Sequence, residues 1–181
     1  MIFSRILIAA VTVVGLVAAQ SQGSAPDLSG IRIGTKLAPR DKDRCNDAMS
    51  KLTGLQAKVA SAMAGPKEER EQQLITVTSS ALDAVKEYNE GYKSRVSHLS
   101  VGAQNNGEDL KKFGKTLYHI LRSCKGTRSA QLAANIGAIN VEVDKFGDYL
   151  ADLLPNMATK ILGGFGKYAE RLSAIQNAVT P

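Results

Sequence analysis

The chain has 181 residues and carries 23 basic against 17 acidic side chains, a net charge of +6. With no Trp, four Phe, five Tyr and two Cys, it lacks the aromatics of a typical sheet-built core and the cysteines of a disulfide-dense scaffold. A chain of this length makes one domain that buries close to ~70% of its unfolded surface, so a core forms without metal or multiple bridges.

The first 19 residues read as a secretory signal peptide. Arg5 is their single charge, Ile6 to Ala19 are apolar or small throughout, and Val17-Ala18-Ala19 supplies small residues before a cleavage point at Gln20. Fourteen residues cannot cross ~30 Å of hydrocarbon as a helix, and no later stretch is long and apolar enough to do so. Cleavage leaves 162 residues with a net charge of +5. Residues 20–38 are rich in Ser, Gly and Gln and read as a flexible leader, with Leu28, Ile31 and Ile33 available to settle along the body. Residues 39–181 form a single domain.

That domain reads as all-α, a bundle of about five amphipathic helices. The first helix starts near Asp41 and runs to Ala64 on a seam of Cys45, Met49, Leu52, Leu55, Val59 and Met63, where Gly65-Pro66 stops it. The second opens with Pro66, Glu68 and Glu69, acids that favour a helix N-terminus. Its stripe is Leu74, Thr78, Ala81, Val85, Tyr88, Tyr92, Val96 and Leu99. Unbroken, it would be ~50 Å long, and Gly91 marks a place to bend or break. Residues 100–107 form a loop crowded with turn formers. The third helix follows Glu108 and Asp109 and runs to Cys124 on Leu110, Phe113, Leu117, Ile120 and Leu121, closed by Lys125-Gly126.

Thr127 or Ser129 caps the fourth helix, which has the most regular pattern in the chain. Leu132, Ile136, Ile139, Val143, Phe146, Leu150 and Leu153 alternate gaps of four and three, a heptad seam that must face other helices. Pro155 ends it. The fifth resumes from Pro155 with Met157, Ile161, Phe165, Tyr168, Leu172, Ile175 and Val179. Gly163, Gly164 and Gly166 interrupt it, each at a cost of ~1 kcal/mol against Ala, so the helix kinks there or another backbone comes close.

In an oxidising compartment Cys45 and Cys124 have one intramolecular pairing, a disulfide worth ~4 kcal/mol on the chain-entropy model. It conflicts with plain up-and-down alternation. The start of the first helix and the end of the third would then lie at opposite ends of the bundle, whereas bridged Cα atoms lie within ~7 Å. A break at Gly91 is the preferred reconciliation.

Catalysis finds little support. His98 and His119 sit on different helices without metal-ligand spacing, and Cys124 is five positions from His119 and off its face. Gly163–Gly166 lacks the preceding strand and following Lys-Ser/Thr of a phosphate loop. The expectation is a protein that is not an enzyme and has no metal or cofactor. Charge is more informative. Lys111, Lys115 and Arg122 share a helix face, with Lys112 beside them and Lys125 and Arg128 just beyond. Lys36, Arg40, Lys42 and Arg44 form a second cluster that the disulfide would bring alongside. Together they would make a binding patch for an extracellular protein or anionic polysaccharide, with anionic lipid as a further option. Asp41, Asp43 and Asp47 would offset it. Export disfavours nucleic acid.

In general form the chain resembles small secreted helical proteins of invertebrates, salivary and haemolymph ones among them, without sharing a specific motif. The expected function is surface binding of an extracellular macromolecule by a secreted, monomeric or weakly associating protein, with a host or immune component as one target. The alternative is a carrier of lipid or a small apolar ligand between hinged helices, although the cysteine pattern differs from that of insect odorant carriers. No Asn-x-Ser/Thr sequon is present.

Overall fold

A computed structural model describes residues 39–97 and 106–181. The signal segment 1–19, the leader 20–38 and most of the expected 100–107 loop lie outside the described residues, as do His98, Leu99 and Lys36.

The described residues are all-α. Five helices, α1 (Pro39–Ala64), α2 (Lys67–Ser97), α3 (Asn106–Ser123), α4 (Ala130–Leu153) and α5 (Ala158–Val179), follow one another, with a turn of 3-10 helix over Pro155–Met157 before the last. No helix among the described residues is long and apolar enough to cross a membrane.

The stops fall where backbone chemistry puts them. Gly65-Pro66 separates α1 from α2, and Arg70 reaches back from α2 to donate to the carbonyls of Met63 (3.0 Å) and Gly65 (3.3 Å), covering acceptors that α1 leaves open. Gly126 adopts φ +96°, a left-handed conformation that closes α3 and would strain any residue with a Cβ. Ser129 is the N-cap residue of α4, in extended backbone but without a side-chain capping bond.

The helices alternate up and down. Cys45 near the start of α1 packs against Tyr88 and Gly91 late in α2, and Lys51 pairs with Glu87 at 2.6 Å, so α1 and α2 are antiparallel. Asn135 donates to Thr78 Oγ1 (3.0 Å) and the Ile75 carbonyl (3.3 Å), while Asn89 donates to the Glu142 carbonyl (3.1 Å). Both sets of contacts advance in the same direction, so α2 and α4 are parallel. The Ser129 amide donates to the Val179 carbonyl (2.8 Å) and Asn140 to Ser173 (3.0 Å), which makes α4 and α5 antiparallel. α3 closes the ring, packing on α1 and more sparingly on α5.

Aromatic side chains fill the centre. Tyr88 stacks on Phe113 at 4.0 Å, Phe146 meets Tyr92 edge-on at 5.1 Å, and Phe165 lies across Phe146 at 6.0 Å. Leu132, Ile136, Ile139 and Leu150 of the heptad seam are fully buried, each worth roughly 2 kcal/mol against exposure. Leu153, at its end, is half-buried.

Three expectations are corrected. First, no bond joins Cys45 to Cys124. Val59, Ala60 and Met63 of α1 line one groove with Ile120 and Ser123 of α3, so α3 ends beside the end of α1. Cys45 therefore lies roughly 20 Å along the axis from the level of Cys124 at 1.5 Å per residue, and a disulfide needs Cα atoms within about 7 Å. Alternation prevails over pairing. Second, α2 passes through Gly91 unbroken. That glycine is buried where α1 crosses, and a Cβ there would lie 3.1 Å from both the Arg44 Cβ and the Cys45 sulfur. Third, α5 does not kink but runs uninterrupted through its glycines, of which Gly163 and Gly166 face open space and Gly164 is buried. A close approach does occur beside this segment, from α4, where a Cβ on Gly147 would lie 2.8 Å from Phe165 Cγ. In α1, Met63 is 37% exposed, and Ala48 and Ala62 are buried on its inner face.

Candidate functional site: the basic ridge of α3

Buried Leu110, Phe113, Leu117, Ile120 and Leu121 turn one side of α3 to the core. Lys111, Lys115 and Arg122 then fall on the opposite side, within an arc of about 40° at 3.6 residues per turn. All three are exposed. Lys112 is exposed on the flank, and Lys125 and Arg128 are exposed in the turn that leads to α4. From Lys111 to Lys125 the row extends roughly 20 Å at helical rise. Half-buried Tyr118 occupies the ridge between Lys115 and Arg122.

Of the five residues singled out from the sequence, Lys111, Lys115 and Arg122 thus share one exposed face of α3, and Lys125 and Arg128 are exposed in the turn at its C-terminal end. None is paired with a carboxylate within 4.0 Å among the described residues. The second cluster does not join them at a disulfide. Exposed Arg44 stands at the start of α1, by the opposite end of the bundle from Lys125 and Arg128; Arg40 and Lys42 belong to the first turns of α1.

One feature was open to sequence reading and was missed. Between Leu110 and Val141 there is no Asp or Glu, while six Lys and Arg are present. The expected offset by Asp41, Asp43 and Asp47 sits in the first turns of α1, far from the Arg122–Arg128 end. Glu68, Glu69 and Glu71 do lie at that end, but on α2, and α1 stands between α2 and α3.

Beside the ridge, a groove of about 300 Å³ separates α3 from α1, lined by Gln56, Val59, Ala60, Met63, His119, Ile120 and Ser123. His119 is exposed at its lip, with its ring 6.1 Å from that of Tyr118. At the centre of the bundle, Val85, Tyr88, Phe113, Phe146, Phe165 and Tyr168 help to enclose a cavity of about 20 Å³, room for roughly one water molecule. Among the described residues, no three His, Cys, Asp or Glu side chains are grouped to hold a metal ion.

Cys124 is buried, and burial pushes its thiol up to about 12. The sulfur contacts the Ile120 carbonyl at 3.7 Å. At neutral pH it is a protonated thiol within the core and a poor nucleophile. No family model, no curated protein and no solved structure matches this chain.

Proposed function

We propose that this is a secreted, non-enzymatic helical protein that acts by binding an anionic extracellular macromolecule through the ridge Lys111, Lys115, Arg122, Lys125 and Arg128. The observation that carries this role is six exposed cations on α3 and the turn after it, in a stretch without a single acid. A mixed surface would screen itself; a single-sign row projects a field that concentrates and orients an anionic partner. The N-terminal segment, Arg5 with the apolar run Ile6–Ala19, supports the reading of export. A host or immune component would be one such partner.

Carriage of an apolar ligand between the helices is less well supported. The central cavity is about 20 Å³, against the roughly 300–1,000 Å³ of small-molecule sites; the groove between α1 and α3 reaches about 300 Å³ but lies at the surface, with exposed Gln56, Ala60, Met63 and His119 in its lining.

Binding to dextran sulfate, poly-glutamate and phosphatidylserine vesicles provides the test, comparing the natural protein with K111E/R122E/K125E. At least one probe should bind the natural protein and release the variant. Equal binding by the variant would refute the site, and no binding to any probe would refute the role.

A further inference from the structure

Resting on the surface-binding role proposed above, we infer that the ridge of α3 takes a linear sulfated polysaccharide, laid along the helix from Lys111 to Arg128.

Shape is the first reason. Lys111, Lys115 and Arg122 form a row one helix wide, in an arc of about 40° over roughly 17 Å, with Lys112 on its flank and Lys125 and Arg128 exposed in the turn beyond its end, not a broad basic face. A rod-like polyanion can touch each member of such a row in turn. A flat anionic membrane would rest on several helices at once, and Asp47 of α1 and Glu170 of α5 are exposed on the two helices that pack against α3.

Apolar surface is the second. Helices that lie on membranes pair a basic face with an apolar face that enters the lipid. Here Leu110, Phe113, Leu117, Ile120 and Leu121 are buried in the bundle. Of the large exposed hydrophobic residues, Val141 and Leu162 belong to α4 and α5, and Met63 of α1 borders the ridge as a single side chain in the groove, not as an apolar face.

The third reason is donor chemistry. Lys supplies point charges, and Arg122 and Arg128 supply planar forks that match the oxygens of sulfate and carboxylate groups. Single-stranded nucleic acid offers phosphates to the same donors, but sites for it add exposed aromatic platforms on which bases stack. The ridge presents half-buried Tyr118 and, on its flank, the exposed ring of His119, not a row of platforms for successive bases.

Size-defined heparin oligosaccharides, titrated by calorimetry at several salt concentrations, test the inference together with lysine acetylation footprinting of the bound complex. Tight binding should weaken steeply with salt, because cations on a polyanion displace its condensed counterions. K115A/R122A/K125A should bind about 100-fold more weakly at physiological salt and lower the log–log salt slope by about three, one per cation removed. The control K86A/K167A should bind unchanged. Bound heparin should shield Lys111, Lys112, Lys115 and Lys125 from acetylation and leave Lys58, Lys86 and Lys167 reactive.

Equal loss in the control, or uniform shielding, would overturn the inference. So would tighter binding of a single-stranded oligonucleotide of matched charge. Should heparin fail while poly-glutamate or vesicles still bind through the ridge, the polysaccharide assignment falls and the surface-binding role stands. If no anionic probe depends on the ridge, both fall.

Discussion

Substituting Gly147 by Ala probes the packing of α4 on α5 with a single carbon atom. The new Cβ would sit 2.8 Å from Phe165 Cγ and 2.9 Å from Phe165 Cβ, where carbon pairs prefer about 3.5–4.0 Å. Turning the Phe165 ring can move Cγ's neighbours but not Cβ, which is fixed to the backbone. The helices must therefore separate by about 0.7 Å over a core in which Phe146 and Phe165 already meet at 6.0 Å. Overpacking of this kind costs about 1–3 kcal/mol. Alanine recovers ~1 kcal/mol of helix propensity, so the net loss is between ~0 and ~2 kcal/mol.

The steric contribution is isolated by a reference. Gly166 lies within α5 with nothing near its missing Cβ, so Gly166→Ala should gain ~1 kcal/mol and raise Tm by about 2–4 °C. Gly126→Ala also meets open space, but at φ +96°, so it should lose about 1–2 kcal/mol through backbone strain. Far-ultraviolet circular dichroism of the three variants, melted and unfolded in urea, gives the comparison. Stabilisation by Gly147→Ala equal to that of Gly166→Ala would show that α4 and α5 do not approach as described.

Intact mass under denaturing conditions should equal that of the reduced chain, with two thiols titrating in denaturant and neither reacting promptly in the native state. Because burial raises the Cys124 thiol from 9.0 to about 12, the unfolded chain ionises first, and stability should fall as pH rises from about 9 towards 12. Cys124→Ala should flatten that alkaline limb in urea titrations at successive pH values. Tyr168→Phe deletes the buried bond from its hydroxyl to the Gly114 carbonyl (2.8 Å); it should cost about 1 kcal/mol and speed amide exchange in α3 more than in α4. The Asp144 carboxyl is raised from 3.8 by burial and by neighbouring Asp148, so the folded state binds its proton more tightly than the unfolded one. Its contribution is then most favourable at low pH and is lost as pH rises through 3.8 and above. Asp144→Asn should stabilise at pH 7 by less than ~1 kcal/mol and make no difference at pH 3.

The inner face of each helix was legible because burial repeats with the helical turn. Leu132 to Leu150 announce α4 by spacing alone, and Gly65-Pro66, Gly126 and Pro155 mark where helices stop. What spacing could not reveal was how closely each pair of helices approaches. Buried Ala48, Ala62 and Ala84 give little hydropathic signal, and glycines that admit a neighbour, such as Gly91 and Gly147, carry no mark distinguishing them from exposed Gly163 and Gly166. Polar contacts inside the seam, such as Asn135 with Thr78, were hidden for the same reason: a buried Asn is acceptable only when a partner from another helix is in place. The cysteines misled because compartment chemistry argued for pairing while helix length argued against it, and a rod of buried turns is the stiffer constraint.

The ridge stands apart from all of this. Packing dictates which residues of α3 face inward and is indifferent to the sign of those facing out; Glu and Lys serve an exposed helix position about equally well. Along α2, acids and bases are mixed, from Glu68, Glu69 and Arg70 to Lys86 and Glu87. A stretch from Leu110 to Val141 with six cations and no acid is therefore not something the fold requires. Like charges in a row repel one another, a cost that the helix dipole offsets at Arg122 in the last turn of α3 and that the proposed binding of an anionic partner would offset at Lys111 and Lys115.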